Sequence, residues 1–259
     1  MPALILMYHD LAADPTVIAS EHRPYVLEPA VFRRQMAAVI ATDLPTLTVA
    51  QWCAPTHPSR AVVLTFDDGH VSNYTLTLPI LLEHHLTATF FITAGAIGKG
   101  ATMDWRQIRA LHAAGMEIGS HTLTHRPPST LTDDELRYEL HESRRVLEDG
   151  LGAPVTSISS PTGFFNPRMR AIAREVGYQS LSFGHIGLAP DQGDSFSLKR
   201  VAVKYATPHT EFEALLRFDR RLLGRLRRQQ WVRSLARQAL GPRAYLQVRR
   251  LITTTRARA

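Results

Sequence analysis

An α/β fold with a parallel sheet closed into a barrel is what the sequence predicts, and three observations predict it. Short β-rich apolar runs alternate with helical patterns over the first 205 of 259 residues. The runs carry apolar residues on both faces, as strands do when helices cover both sides of a parallel sheet. Seven or so such units are enough to close a barrel. The strand runs are 3–8 (Ala-Leu-Ile-Leu-Met-Tyr), 61–66 (Ala-Val-Val-Leu-Thr-Phe), 88–93 (Ala-Thr-Phe-Phe-Ile-Thr), 116–119, 155–159, 179–183 and 198–203. Helical stretches lie near 30–42, 72–85, 104–114, 132–149 and 167–176. Two carry a capping-box signal: Thr132-Asp-Asp-Glu135, and Thr210-Glu-Phe-Glu213 at the head of a helix leading into the tail.

Composition narrows the class. With 44% hydrophobic and 20% charged residues the chain is neither fibrous nor largely disordered. The single cysteine, Cys53, excludes a disulfide framework and any cysteine-rich metal site. No apolar run approaches the roughly 20 residues that span a bilayer. The opening segment lacks a basic n-region, so a cytoplasmic location is expected. Charge is uneven: residues 217–259 hold 13 Arg and one acid, Asp219, while residues 1–216 hold 17 basic and 22 acidic groups. The boundary expected is therefore a body, 1–216, and an Arg-rich helical extension, 217–259. In the extension Leu222, Leu223, Leu226, Trp231, Val232, Leu235 and Leu240 mix with Arg at near-helical spacing, and Gly241-Pro242 precedes a second helix at about 243–252. A basic amphipathic helix points to an anionic membrane surface, peripheral at the inner membrane, in preference to nucleic acid. The plainer alternative is a solvated, Arg-rich helical pair.

A parallel barrel presents its chemistry where its strands end. Strand 3–8 runs into His9 and Asp10, strand 61–66 into Asp67, Asp68 and Gly69, and strand 116–119 into Ser120, His121 and then His125. Adjacent carboxylates repel each other unless a cation or hydrogen bonds compensate. Asp-Asp-Gly is also an ordinary turn, and His-x3-His alone is a weak signal. Two imidazoles four apart share one side if the segment turns helically, and with one carboxylate they make a three-ligand zinc site with an open position.

Thr65-Phe-Asp-Asp-Gly69 and His121-Thr-Leu-Thr-His125 resemble the first two signature motifs of the polysaccharide deacetylases, carbohydrate esterase family four. The segments Pro79–Ile92, Gly115–Thr122 and Leu147–Gly152 resemble the family too, so the likeness runs over roughly residues 3–205. It implies a distorted (β/α)7 barrel, with Asp67 as the catalytic base and Asp68, His121 and His125 as ligands of a divalent metal, zinc first. It also implies removal of N-acetyl groups from hexosamines in a polymer or oligomer. An O-acetyl esterase of the same fold and a non-catalytic glycan-binding domain are the alternatives.

Two elements depart from the family's pattern. Its third motif carries Arg or Tyr before Pro and an aromatic before Gly; here the stretch reads Ser159-Ser160-Pro161-Thr162-Gly163. Pro161 and Gly163 are kept, with Thr162 the expected backbone donor to the oxyanion. The groups that brace the base are replaced by small polar residues. The late Leu-x-His element is missing from Leu198-Lys-Arg-Val-Ala-Val203. A subgroup resembling poly-N-acetylglucosamine deacetylases carries a Tyr-His pair after the first strand, and Tyr8-His9 matches it. His9 is therefore the expected general acid, with His185 and His209 in reserve.

Overall fold

The computed structural model describes residues 2–15 and 22–235; Leu240, Gly241-Pro242 and the expected helix at 243–252 lie outside them. The chain divides into two compact units, Met1–Asp219 and Arg220–Ala259. In chain order the first unit has β1 (Ala3–Tyr8), β2 (Asp10–Leu11), β3 (Val26–Leu27), α1 (Pro29–Ile40), β4 (Thr46–Leu47), α2 (Val49–Trp52) and β5 (Ala61–Phe66). There follow α3 (Leu78–Glu83), β6 (Thr89–Ile92), α4 (Trp105–Ala113), β7 (Glu117–Ser120), α5 (Asp133–Leu151), β8 (Ser157–Ser159) and α6 (Pro167–Val176). The unit ends with β9 (Ser180–Phe183), β10 (Leu198–Lys199), β11 (Val201–Ala202) and α7 (His209–Leu216).

The main sheet is parallel throughout, in the order β10-β9-β8-β7-β6-β5-β1-β11, with β4 beside β5. The expected strand 198–203 is two short strands with Arg200 between them. β10 pairs with β9 and β11 with β1, so one stretch of chain serves both edges and curls the sheet almost into a barrel. Every residue of β1 and β5 is buried, which is why neither strand alternates apolar with polar residues.

The in-register neighbours Tyr8, Phe66 and Phe90 stack with ring centroids 5.3 and 4.8 Å apart, and Phe32 of α1 meets Tyr8 edge-on. Their alternates point the other way. Ala3, Ile5, Val63, Phe91 and Leu198 fill the barrel with Val49 and Trp52 of α2. On the β7–β9 side the inward positions are Gly119, Ser157, Ser159, Ser180 and Ser182. A Cβ at Gly119 would run into the Phe91 ring and the Ser157 carbonyl. This side is kept small and polar.

The Thr132 capping box forms at the head of α5: Thr132 Oγ1 accepts from Glu135 N–H at 3.2 Å and Glu135 Oε2 from Thr132 N–H at 2.8 Å. Three acids in that first turn face the positive end of the helix dipole. The capping box at Thr210 does not form. α7 starts two residues earlier, with Pro208 at the N-cap and no side-chain cap. In the second unit residues 220–235 form one helix, with Leu222 and Leu223 buried and Trp231, Val232 and Leu235 exposed. No helix among the described residues is long and apolar enough to cross a membrane.

Candidate active site

The polar groups gather where the strands end. β1 delivers His9, β5 delivers Asp67 and Asp68, β7 delivers His121, and β8 leads into Ser160-Pro161-Thr162-Gly163. Backbone strain collects there as well. Asp68 (φ 75°), Thr122 (66°), His125 (60°) and Thr162 (61°) hold left-handed conformations that side-chain-bearing residues seldom adopt. Four strained residues in one place require a surrounding structure that over-determines them, as at functional sites.

Asp68, His121 and His125 form a triangle whose ligand-capable atoms all lie within 4.8 Å of one another. Asp68 Oδ1 is 3.3 Å from His121 Nε2 and 3.4 Å from His125 Nε2. His121 Nδ1 lies 3.0 Å from the Ser159 carbonyl, which can only accept, so Nδ1 carries a proton and Nε2 is the nitrogen turned toward Asp68. Asp67 and Asp68 outweigh burial and raise the His121 pKa, so this spot favours positive charge, as a proton on the imidazole or as a cation held between these atoms. Donors bonded to zinc at about 2.0–2.2 Å in tetrahedral geometry stand about 3.3–3.6 Å apart, and the two Asp68–histidine pairs already do. The His121 side chain is 2% exposed, but those of His125 and Asp68 are 42% and 44% exposed, so one side of the triangle opens to solvent. The residues present fit a metal with an open position.

The segment 121–125 does not turn helically, so the two imidazoles are brought to one side by another route. It is a loop with left-handed residues at Thr122 and His125, and Glu139 of α5 shapes it. Buried Glu139 accepts from Leu123 N–H at 3.0 Å, Thr124 N–H at 2.8 Å and the Thr124 hydroxyl. Gly95 N–H donates to Leu123 O at 2.8 Å, and a Cβ at Gly95 would collide with that carbonyl. Both imidazoles reach Asp68 because this loop is braced from two sides.

Asp67 is buried and held by a residue that motif reading passed over. Arg200 Nη1 donates to Asp67 Oδ1 at 2.7 Å and Nη2 to Oδ2 at 2.8 Å, a bidentate pair. The same guanidinium donates to Ser159 Oγ at 2.7 Å and Thr65 Oγ1 at 3.2 Å. It is fully buried, with Phe91 5.5 Å from its carbon. Burial alone would push the Asp67 carboxyl up; Arg200 first, then His121 and His9, outweigh it and hold it below the usual range. The brace missing from the third motif therefore arrives from the last strand, and Ser159 is small where Arg200 passes. An arginine next to Lys199 in a run that is otherwise Leu, Val and Ala was the available signal, since a guanidinium buried there requires a carboxylate.

His9 packs on Tyr25, with ring centroids 4.7 Å apart, and its carbonyl accepts from Asn73 Nδ2 at 2.8 Å. Its Nδ1 is buried without a partner. Burial lowers its pKa, while the Asp67 and Asp68 charges pull the other way. The reserve histidines do not join this group: His185 sits beside Phe165 and Phe183, and His209 pairs with Glu213 on its own helix. In the third segment Gly163 N–H is already engaged by Ser160 O at 3.0 Å, and its Cα lies against Gly184. Asn73, in a glycosylation sequon, is buried and supports His9 instead. The Cys53 thiol is pushed up to about 12, chiefly by burial, which suits an inert side chain.

The parallel barrel thus sets an Asp-His-His triangle that could hold a metal ion beside a buried, arginine-held aspartate. Residues 54–181 match the polysaccharide deacetylase family model, and the chain belongs to that family. A peptidoglycan-N-acetylglucosamine deacetylase of Bacillus cereus is 27% identical over 55% of this chain and 65% of its own length. A chitooligosaccharide deacetylase of Sinorhizobium fredii is 31% identical over 45% of this chain and 54% of its own. The chain thus spans between about half and two thirds of these relatives. Among solved structures, the Streptococcus pyogenes deacetylase PplD has a TM-score of 0.71 at 23% identity, covering 84% of this chain and 97% of that one. IcaB from Ammonifex degensii has a TM-score of 0.68 at 22% identity, covering 83% of this chain and 95% of that one.

Proposed function

We propose that the protein is a metal-dependent hydrolase that removes N-acetyl groups from hexosamine residues of a poly- or oligosaccharide. The observation that carries this reading is the triangle of ligand-capable atoms on Asp68, His121 and His125 beside an aspartate that Arg200 keeps ionised. The names of the relatives, which act on N-acetylated glycans, support the substrate class. Asp68, His121 and His125 would hold the ion, with zinc the first expectation for one carboxylate and two imidazoles. A divalent ion held there supplies Lewis-acid polarisation of the acetyl carbonyl and an acidified water.

The remaining steps belong to the chain. Asp67, pinned through both oxygens, accepts the proton of the attacking water, a task worth roughly 10²–10⁴ in rate. Oxygen adds to the carbonyl carbon, and the Thr162 backbone N–H is assigned to the developing oxyanion. The C–N bond then breaks as the nitrogen takes a proton from His9, leaving acetate and a free amine. His9 must gain that proton against burial. This favours a second reading, O-deacetylation, because an alkoxide leaves with less help than an amide nitrogen.

Acetate release decides between them. With N-acetylglucosamine oligomers the full chain should release acetate, lose that activity on chelation and regain it with zinc. His9→Ala should lose about 10²-fold or more on acetamides. Activity on acetate esters alone, undiminished in His9→Ala, would instead establish the esterase. No metal-dependent release from either substrate would refute both.

A further inference from the structure

We infer that the helix at 220–235 docks the chain on an anionic lipid bilayer, with Trp231, Val232 and Leu235 entering the headgroup region. Three observations carry this. First, these three apolar side chains are exposed, Trp231 at 62%, Val232 at 56% and Leu235 at 43%. At 100° per residue they fall within about a third of the helix circumference. They form one patch. Second, the helix carries six arginines (220, 221, 225, 227, 228 and 233) and no acid. Arg221, Arg225 and Arg228 occupy the same arc as the apolar trio, up to three turns earlier along the helix. Third, the charge does not reverse beyond it: residues 236–259 add six further arginines and no acid.

An exposed apolar tip on an arginine-rich helix suits a membrane interface, the apolar side chains entering it and the arginines at its margin meeting the phosphates. Tryptophan sits at headgroup depth there, and guanidinium groups reach lipid phosphates while their stems cover apolar surface. A nucleic acid would use the arginines but leave a Trp-Val-Leu patch facing water. A solvated helix would need neither the patch nor an uninterrupted run of one charge. The reading is independent of the chemistry proposed for the barrel.

Vesicle co-sedimentation of the full chain tests it. The protein should pellet with phosphatidylcholine vesicles containing phosphatidylglycerol, and stay in solution with phosphatidylcholine alone. Replacing the apolar trio together (W231A, V232A, L235A) keeps every arginine and should weaken partitioning by about tenfold or more, since interfacial affinity scales with buried apolar area. Circular dichroism melting controls for the fold. Acyl-brominated lipid should quench tryptophan emission in the native chain, and that quenching should vanish in W231F. Equal partitioning of the triple variant, or quenching that survives W231F, overturns the inference. So does full retention of a duplex DNA by the triple variant with no vesicle binding by the native chain; the arginines would then serve nucleic acid.

Discussion

Asp67 is a buried carboxylate whose charge depends on one partner. Burial favours its neutral form, and a neutral aspartic acid cannot take a proton from water. The bidentate Arg200 contact reverses the balance. Arg200→Met should therefore do two things. Leaving a buried charge unpaired costs about 3–5 kcal/mol of stability at neutral pH, and turnover should collapse while the metal triangle keeps its ligands. The sign of the pH dependence follows from the lowered Asp67 pKa. A depressed carboxylate contributes stability above its unfolded pKa of about 3.9 and loses it as pH falls through the folded value. The gap between native and variant melting temperatures should thus be widest near pH 7 and narrow below about pH 4. A gap that stays constant with pH would remove Asp67 from the explanation.

At the scale of elements, Glu139 has the longest reach. It stands on α5, 14 positions from His125 in sequence, yet its carboxylate organises the backbone that carries both imidazoles. Outer partners that orient ligands typically change metal affinity by about 10–100-fold when removed. Glu139→Ala should lower zinc affinity by that amount, measured by competition with a chelator, with Asp68, His121 and His125 all present. Unchanged affinity would mean that the loop holds its shape without α5. Sequence reading located α5 to within a residue or two, because its capping box and amphipathic period are local signals. It left the backbone of 121–125 open, because spacing alone cannot register the left-handed conformations at Thr122 and His125. Glu139 went unseen for the same reason: its contact is made across a fold and leaves no mark in the local pattern. The two-residue strands β2, β3 and β4 are too short to show a period.

For the whole molecule, one strand region closes the sheet and completes the site. Val201–Ala202 pairs with β1, Leu198–Lys199 pairs with β9, and the residue between them reaches through the barrel to Asp67. The barrel class was legible because its evidence is distributed: seven apolar runs alternating with helices, three of them running into acidic or imidazole groups. Asp67, Asp68, His121 and His125 were legible from their motifs, and the structure brings them together at one end of the sheet. Arg200 was not, because its role exists only once the last strand lies beside the first. The central claim is that Asp67 acts on a water beside a metal held by its three neighbours. Measuring bound zinc and acetate release together, on the native chain and on Asp67→Asn, tests it most directly. The account predicts that Asp67→Asn keeps its zinc and releases acetate at least about 100-fold more slowly from N-acetylglucosamine oligomers. Acetate release at the native rate from Asp67→Asn, or a native chain that binds no divalent metal, would contradict it.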